Sequence, residues 1–271
     1  MTSYIGGKSR ISKFIIPYIP TDIQDYCEPF SGMFWVFFKI DISKYPDLKR
    51  VIYNDFNKLN VNLFNCVRNY NEFNKFLEKY NSQDSDLFYS SQSNIFNSEF
   101  TIDLSIPDYH TAAKYAIVLT QVFSGTNPEK GKFIDLKGKY KSKFDSFKDK
   151  VKSNNWQVYF NRITDTENLD FSDLILKYDN EKTFFYCDPP YYKTENYYAN
   201  HDFGLETHER LANVLRNIKG KFALSYYYFD KLEEWFPKDQ YTWREQQFSK
   251  AAMAKSGKEQ TKGTELLIMN Y

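Results

Sequence analysis

Residues 184–193 read FFYCDPPYYK, an aromatic run closed by an acid, two prolines and two tyrosines. Proline cannot donate to a ladder, so Pro189 and Pro190 end the strand that Thr183–Cys187 forms and stiffen the backbone beyond it. Asp188 and Tyr191 are then held at a strand's carboxyl end. In an open α/β sheet that edge is where ligands bind, so the stretch forms one side of a site.

Working outward, short β-branched or aromatic runs at Asp25–Glu28, Arg50–Asn54 and residues 222–226 predict further strands of the same buried sheet. Helices lie between them. The clearest covers 207–219, with Leu211, Val214, Leu215 and Ile218 at i, i+3, i+4, i+7 spacing, Thr207 as N-cap and Gly220 at the exit. Strand-forming residues follow it at once, which predicts a crossover unit of a parallel sheet. The tail reads as a long hairpin: strand residues 241–248, the basic loop SKAAMAKSGKEQTKG (249–263), then TELLIMNY (264–271). The expected fold is α/β, a doubly wound, mostly parallel sheet with an antiparallel C-terminal hairpin. Between residues 58 and 154 the character changes. YNSQDSDLFYSSQSNIFNSEF (80–100) is polar and serine-rich, 111–123 is an apolar helix, and a lysine-rich segment follows. We read 58–154 as an insert, with 1–57 and 155–271 forming the main domain.

The 271 residues are 42% hydrophobic and 19% aromatic, enough for one sizeable core or a core plus an insert. A formal charge of +1 excludes an overall field that would announce a nucleic-acid partner, so any basic surface is local. Residues 130–152 carry nine lysines against three acids. Three cysteines, at no metal-ligand spacing, indicate neither a disulfide framework nor a zinc site. With no apolar leader and no apolar run of about 18 residues, the expectation is a soluble, cytoplasmic protein without a membrane partner.

A second stretch, YCEPFSGMFWVFF (26–38), reads as a strand ending in Glu28-Pro29 that turns through Ser31-Gly32 into an apolar helical run. Glycine there lets backbone approach a ligand. Asp55 follows 23 residues after Gly32, in VIYND, where nucleotide-binding folds present an acid to ribose hydroxyls. The alternative is a turn glycine and an N-capping aspartate. GGKSR (6–10) is not a phosphate loop, because Thr2 stands where that motif needs glycine, but it could place Lys8 beside an anionic group. From 134 to 144 the pattern has period two: Ile134, Leu136, Tyr140 and Phe144 on one side, Lys137, Lys139, Lys141 and Lys143 on the other. With Lys132, such a ribbon presents ammonium groups to phosphates, the alternative being a solvated face. Asn127, Gln121 and Arg162 are candidates for base readout; His110, His201 and His208 receive no role.

Taken in order, YIGGKSR, EPFSG, the ND of 54–55, the LDF of 169–171, DPPYY and TELLIMNY resemble the motifs of the alpha-group, Dam-like DNA adenine-N6 methyltransferases. In that group the cofactor motif precedes the target-recognition insert and the catalytic DPPY follows it. The resemblance covers 4–271, the insert matching in position only. It implies a class I methyltransferase-like fold with an inserted DNA-recognition region, S-adenosylmethionine as methyl donor and double-stranded DNA as partner; the chain is expected to be a monomer in solution. Tyr4, Lys8, Phe30 and Gly32 would border the donor, Asp55 would take its ribose diol and Asp170-Phe171 its adenine. Asp188 would be shared between donor and acceptor. Asp188, Pro189, Pro190 and Tyr191 form the implied catalytic set. The carboxylate and the Pro189 carbonyl would accept the amino hydrogens of a flipped adenine, with Tyr191 against its face. The family usually has a second small residue two positions after Gly32. Phe34 stands there, which favours a weakened or shifted donor and motivates an alternative, a DNA-binding protein of little or no activity on the same scaffold. Cytosine N4 and RNA are alternative acceptors.

Overall fold

The structure, a computed structural model, describes residues 11–122, 127–136, 140–192, 203–249 and 262–271. Its strands are β1 (Asp25–Glu28), β2 (Arg50–Asn54), β3 (Asp165–Glu167), β4 (Thr183–Cys187), β5 (Lys221–Tyr226), β6 (Thr242–Ser249) and β7 (Lys262–Met269). They form one seven-stranded sheet in the order β3-β2-β1-β4-β5-β7-β6. The β2–β3, β1–β4 and β4–β5 pairs are parallel, whereas β7 runs antiparallel to both β5 and β6. The helices are α1 (Ser12–Ile15), α2 (Lys58–Arg68), α3 (Tyr70–Leu77), α4 (Ser85–Ile95), α5 (Tyr109–Gln121), α6 (Lys143–Lys152), α7 (Asn154–Phe160), α8 (Phe171–Tyr178), α9 (Leu205–Arg216) and α10 (Lys231–Trp235). No helix among the described residues is long and apolar enough to cross a membrane.

By contacts the described chain divides into two compact units. One holds Ser31–Phe38 and Arg50–Leu169. Its middle is α5, buried along nearly its whole length from Thr111 to Gln121, because it packs against α2, α3, α4 and α6 together. Beside it Phe34, Phe37, Phe38, Tyr53 and Phe64 form an aromatic core, with Tyr53 and Phe64 stacked at 4.0 Å. The other unit holds residues 11–30, Lys39–Lys49 and Asp170–Tyr271. There β4 is buried at every position, as an interior parallel strand requires.

Three expectations need correction, and one strand, β3, was not among those expected. The helix expected at 207–219 is α9: Thr207 is not its cap, since its own N–H already bonds the Gly204 carbonyl, and the helix starts two residues earlier. The apolar run after Gly32 is not a helix beyond the short 3₁₀ turn Phe37–Lys39. Gly32 and Phe34 have φ of 50° and 55°, left-handed values that no right-handed helix can include. Finally, the described part of 134–144 contains no named strand. Ser142 accepts from the Asp145 N–H at 2.9 Å and starts α6, so Lys143 and Phe144 are helical. Phe144 is fully buried while Tyr140 is 75% exposed, so they do not share a side.

Candidate active site

Asp55 follows the last residue of β2, and the loop after β1 is folded onto that strand end. Ser31 donates its N–H to the Asn54 carbonyl at 2.9 Å, and its Oγ accepts from the Asn54 N–H at 3.0 Å. The Tyr53 hydroxyl donates to the Gly32 carbonyl at 2.8 Å. Gly32 then donates its own N–H to Asp55 Oδ2 at 2.9 Å. Asn60 Nδ2 reaches the same oxygen at 3.1 Å, and the Asn57 N–H reaches Oδ1 at 2.7 Å. The Tyr53 hydroxyl also bears on this carboxylate, so most of its roughly four acceptor positions are engaged. Burial pushes the acid up to about 6, the bonds from Asn57, Asn60 and Gly32 pulling the other way.

Asn60 is itself fully buried and accepts from the Tyr115 hydroxyl of α5 at 2.8 Å. Sequence reasoning missed this support, whose parts are 55 residues apart. The Phe34 ring, anticipated as bulk beside a ligand, is fully buried in the aromatic core. That packing compensates for a left-handed backbone that glycine would adopt without cost.

In the second unit, Asp188 stands half-buried just past the end of β4, followed by buried Pro189 and half-buried Pro190. The Tyr191 hydroxyl lies 3.1 Å from Asp188 Oδ1 and donates to Glu265 Oε1 at 2.5 Å. The Tyr191 ring is 8% exposed, stacked on Tyr226 at 5.3 Å and meeting Tyr227 edge-on at 4.4 Å. An available face was expected; the structure instead turns its hydroxyl to Asp188 and packs its ring among tyrosines. Desolvation, with the nearby Asp188 and Glu265 charges, raises the Tyr191 phenol well above its usual value, so it remains a hydrogen donor.

Phe30, Phe171 and Phe203 form a ring cluster with centroids 5.5–5.9 Å apart. Asp170 caps α8 by accepting the Ser172 N–H at 2.9 Å. It also takes a bidentate bond from Arg210, at 2.5 and 2.9 Å, and this pair holds the acid below the usual carboxylate range. The Arg210 guanidinium lies 4.2 Å over the Phe171 ring. Arg210 was not anticipated, and its signal, an arginine on the exposed side of α9, is not distinctive.

Residues 4–250 match the family described as D12 class N6 adenine-specific DNA methyltransferase. The chain belongs to this family. It is an enzyme that methylates adenine N6 in DNA, and its mixed sheet with antiparallel C-terminal strands fits the class I methyltransferase fold. A Type II methyltransferase, M.CviBI of Paramecium bursaria Chlorella virus NC1A, is 24% identical over 278 residues, spanning 100% of this chain and 99% of that protein.

On this D12 methyltransferase the expected basic row is only partly described. Tyr4, Lys8, Lys137 and Lys139 lie outside the described residues. Lys132 and Lys143 are exposed. Lys141 is paired with Asp149, and its neighbours Lys148 and Lys152 with Asp145 and Glu78. Of the readout candidates, Gln121 is 2% exposed and its Oε1 accepts from Gln83, so it serves the insert's own packing. Glu265 is the functional candidate that sequence reasoning passed over. Its signal was present in TELLIMNY as an acid followed by four buried apolar residues of β7.

Proposed function

We propose that this methyltransferase uses S-adenosylmethionine and acts, as a cytoplasmic monomer, on an adenine swung out of a DNA duplex, with residues 58–154 as its target-recognition part. The observation that carries the reading is Asp188, held just past β4 by two prolines, with the Tyr191 hydroxyl 3.1 Å from its Oδ1. The adenine amino lone pair is delocalised into the ring and must be localised to attack. The Asp188 carboxylate and the Pro189 carbonyl would accept its two hydrogens and hold the nitrogen in line. The bond to charged Asp188 contributes about 1.5–3 kcal/mol, and the one to the neutral carbonyl about 0.5–1.5 kcal/mol. That offsets extrusion of the base, which costs on the order of a few kcal/mol.

The donor supplies an electrophilic methyl on a sulfonium centre. Each unit holds residues of a fitting kind: one has a glycine turn at Gly32 and the Asp55 carboxylate, suited to a ribose hydroxyl, and the other has the Phe30, Phe171 and Phe203 rings, suited to a purine. As the N–CH3 bond formed, the donor's sulfonium S–CH3 bond would break and leave a neutral thioether, and one amino proton would pass to Asp188 or to water, since a methylated ammonium is acidic.

The test is nucleoside mass analysis after incubation with duplex DNA and donor. N6-methyladenine is expected, and Asp188→Ala should cut its formation by about 10²–10³-fold or more while retention on DNA persists. An equal loss of DNA retention in that variant would make the acid structural. A product confined to cytosine would remove adenine as the acceptor.

A further inference from the structure

We propose, building on the role given to Asp188 above, that Glu265 is a positioning residue for methyl transfer, acting on Asp188 through the Tyr191 hydroxyl. Glu265 is 2% exposed, and Leu266, Leu267, Ile268 and Met269 after it are buried. Burying a carboxylate among such residues is costly unless strong hydrogen bonds compensate it. The bond from Tyr191, at 2.5 Å, has the short length of a charge-assisted O–H···O⁻ contact. The same hydroxyl oxygen stands 3.1 Å from Asp188 Oδ1. One hydroxyl hydrogen therefore lies between two carboxylates.

The linkage is braced through the Tyr191 ring and the β5–β7 pairing. The Tyr191 ring is held by Tyr226 and Tyr227, and the Tyr226 hydroxyl is bonded to His208 Nδ1. Tyr226 on β5 is in ladder register with Leu266 on β7, the residue beside Glu265, so the strand carrying the acid is fixed to the strand carrying the ring's support. Glu265 fixes where the Tyr191 hydroxyl stands, and that oxygen, 3.1 Å from Oδ1, limits the orientations open to the Asp188 carboxylate. Misorientation at the reacting atoms lowers kcat more than it weakens binding.

The experiment compares Tyr191→Phe, Glu265→Ala, Glu265→Gln and the double variant Tyr191→Phe/Glu265→Ala in steady-state methylation of duplex DNA. Tyr191→Phe and Glu265→Ala should each lower kcat by about 10- to 100-fold, with KM for donor and DNA within about twofold of wild type. Glu265→Gln, whose amide oxygen still accepts the hydroxyl hydrogen, should recover most of the loss. The double variant should be no worse than the poorer single one, because Glu265 acts only through Tyr191.

Additive losses overturn the proposal, as does wild-type kcat in Tyr191→Phe or in Glu265→Ala. If Glu265→Ala melts far below wild type, the isosteric pair decides: Tyr191→Phe impaired with Glu265→Gln near wild type supports the linkage, and the reverse refutes it. Asp188→Ala, assayed alongside, separates the two levels. If it methylates like wild type, the role of Asp188 fails; if it is inactive while the Glu265 and Tyr191 variants are unimpaired, only the role of Glu265 fails.

Discussion

At Asp55, burial and hydrogen bonding pull in opposite directions, and burial wins: the acid titrates at about 6 instead of 3.8. A ribose hydroxyl needs the charged form as acceptor, so donor binding should strengthen as pH rises through about 6. The sign for stability is opposite. The folded chain holds this proton more tightly than the unfolded one, so the contribution is full below the ordinary carboxylate value and is lost as pH rises towards about 6. Calorimetry with the donor should find affinity about tenfold weaker near pH 5 than near pH 7.5. Asp55→Asn should bind weakly at both. A wild-type affinity flat across that range would remove Asp55 from the donor site.

Between elements, the junction at Gly220, where α9 gives way to β5, is close-packed. A Cβ there would stand 2.6 Å from the Thr183 carbonyl oxygen and 2.9 Å from that of Asn180. Both are backbone atoms, and Asp179 Oδ1 also accepts the Gly220 N–H at 2.9 Å, so no flexible side chain can yield. Gly220→Ala should cost about 1–3 kcal/mol, as overpacking does. At about 2–4 °C per kcal/mol a thermal melt reads this directly, and an unchanged midpoint would mean the junction relaxes freely.

The same scale explains what the sequence could tell. β2, β4 and β5 were legible because they are nearly continuous runs of buried strand formers, and β1 from Tyr26 and Cys27 ahead of Pro29. β3 was not, because Asp165, Thr166 and Glu167 are half-buried polar residues that become a strand only by pairing with β2. Lysine alternation suggested a ribbon, yet Ser142 with Asp145 three residues on was already a helix-start signal. DPPY was legible because acid, prolines and ring are contiguous. The bond from Tyr191 to Glu265 was not, its ends being 74 residues apart.

Over the whole molecule, a charge of +1 gives a duplex no long-range reason to approach, so the phosphate grip must be local and short-ranged. The lysine-rich segment supplies it unevenly. Lys141, Lys148 and Lys152 are in ion pairs with Asp149, Asp145 and Glu78, and an ammonium engaged in this way releases little further counterion when DNA arrives. Lys132 and Lys143 are exposed with no ion pair among the described residues. Replacing both with glutamine should lower the slope of log affinity against log salt by about 0.9 per lost phosphate contact, while weakening all duplex sequences alike. Lys152→Gln should change the slope less. Fluorescence anisotropy of a labelled duplex titrated between about 50 and 200 mM salt makes the comparison. If Lys152→Gln flattens the slope as much as the Lys132 and Lys143 replacements do, the ion pairs open on DNA and the whole segment acts as one basic surface.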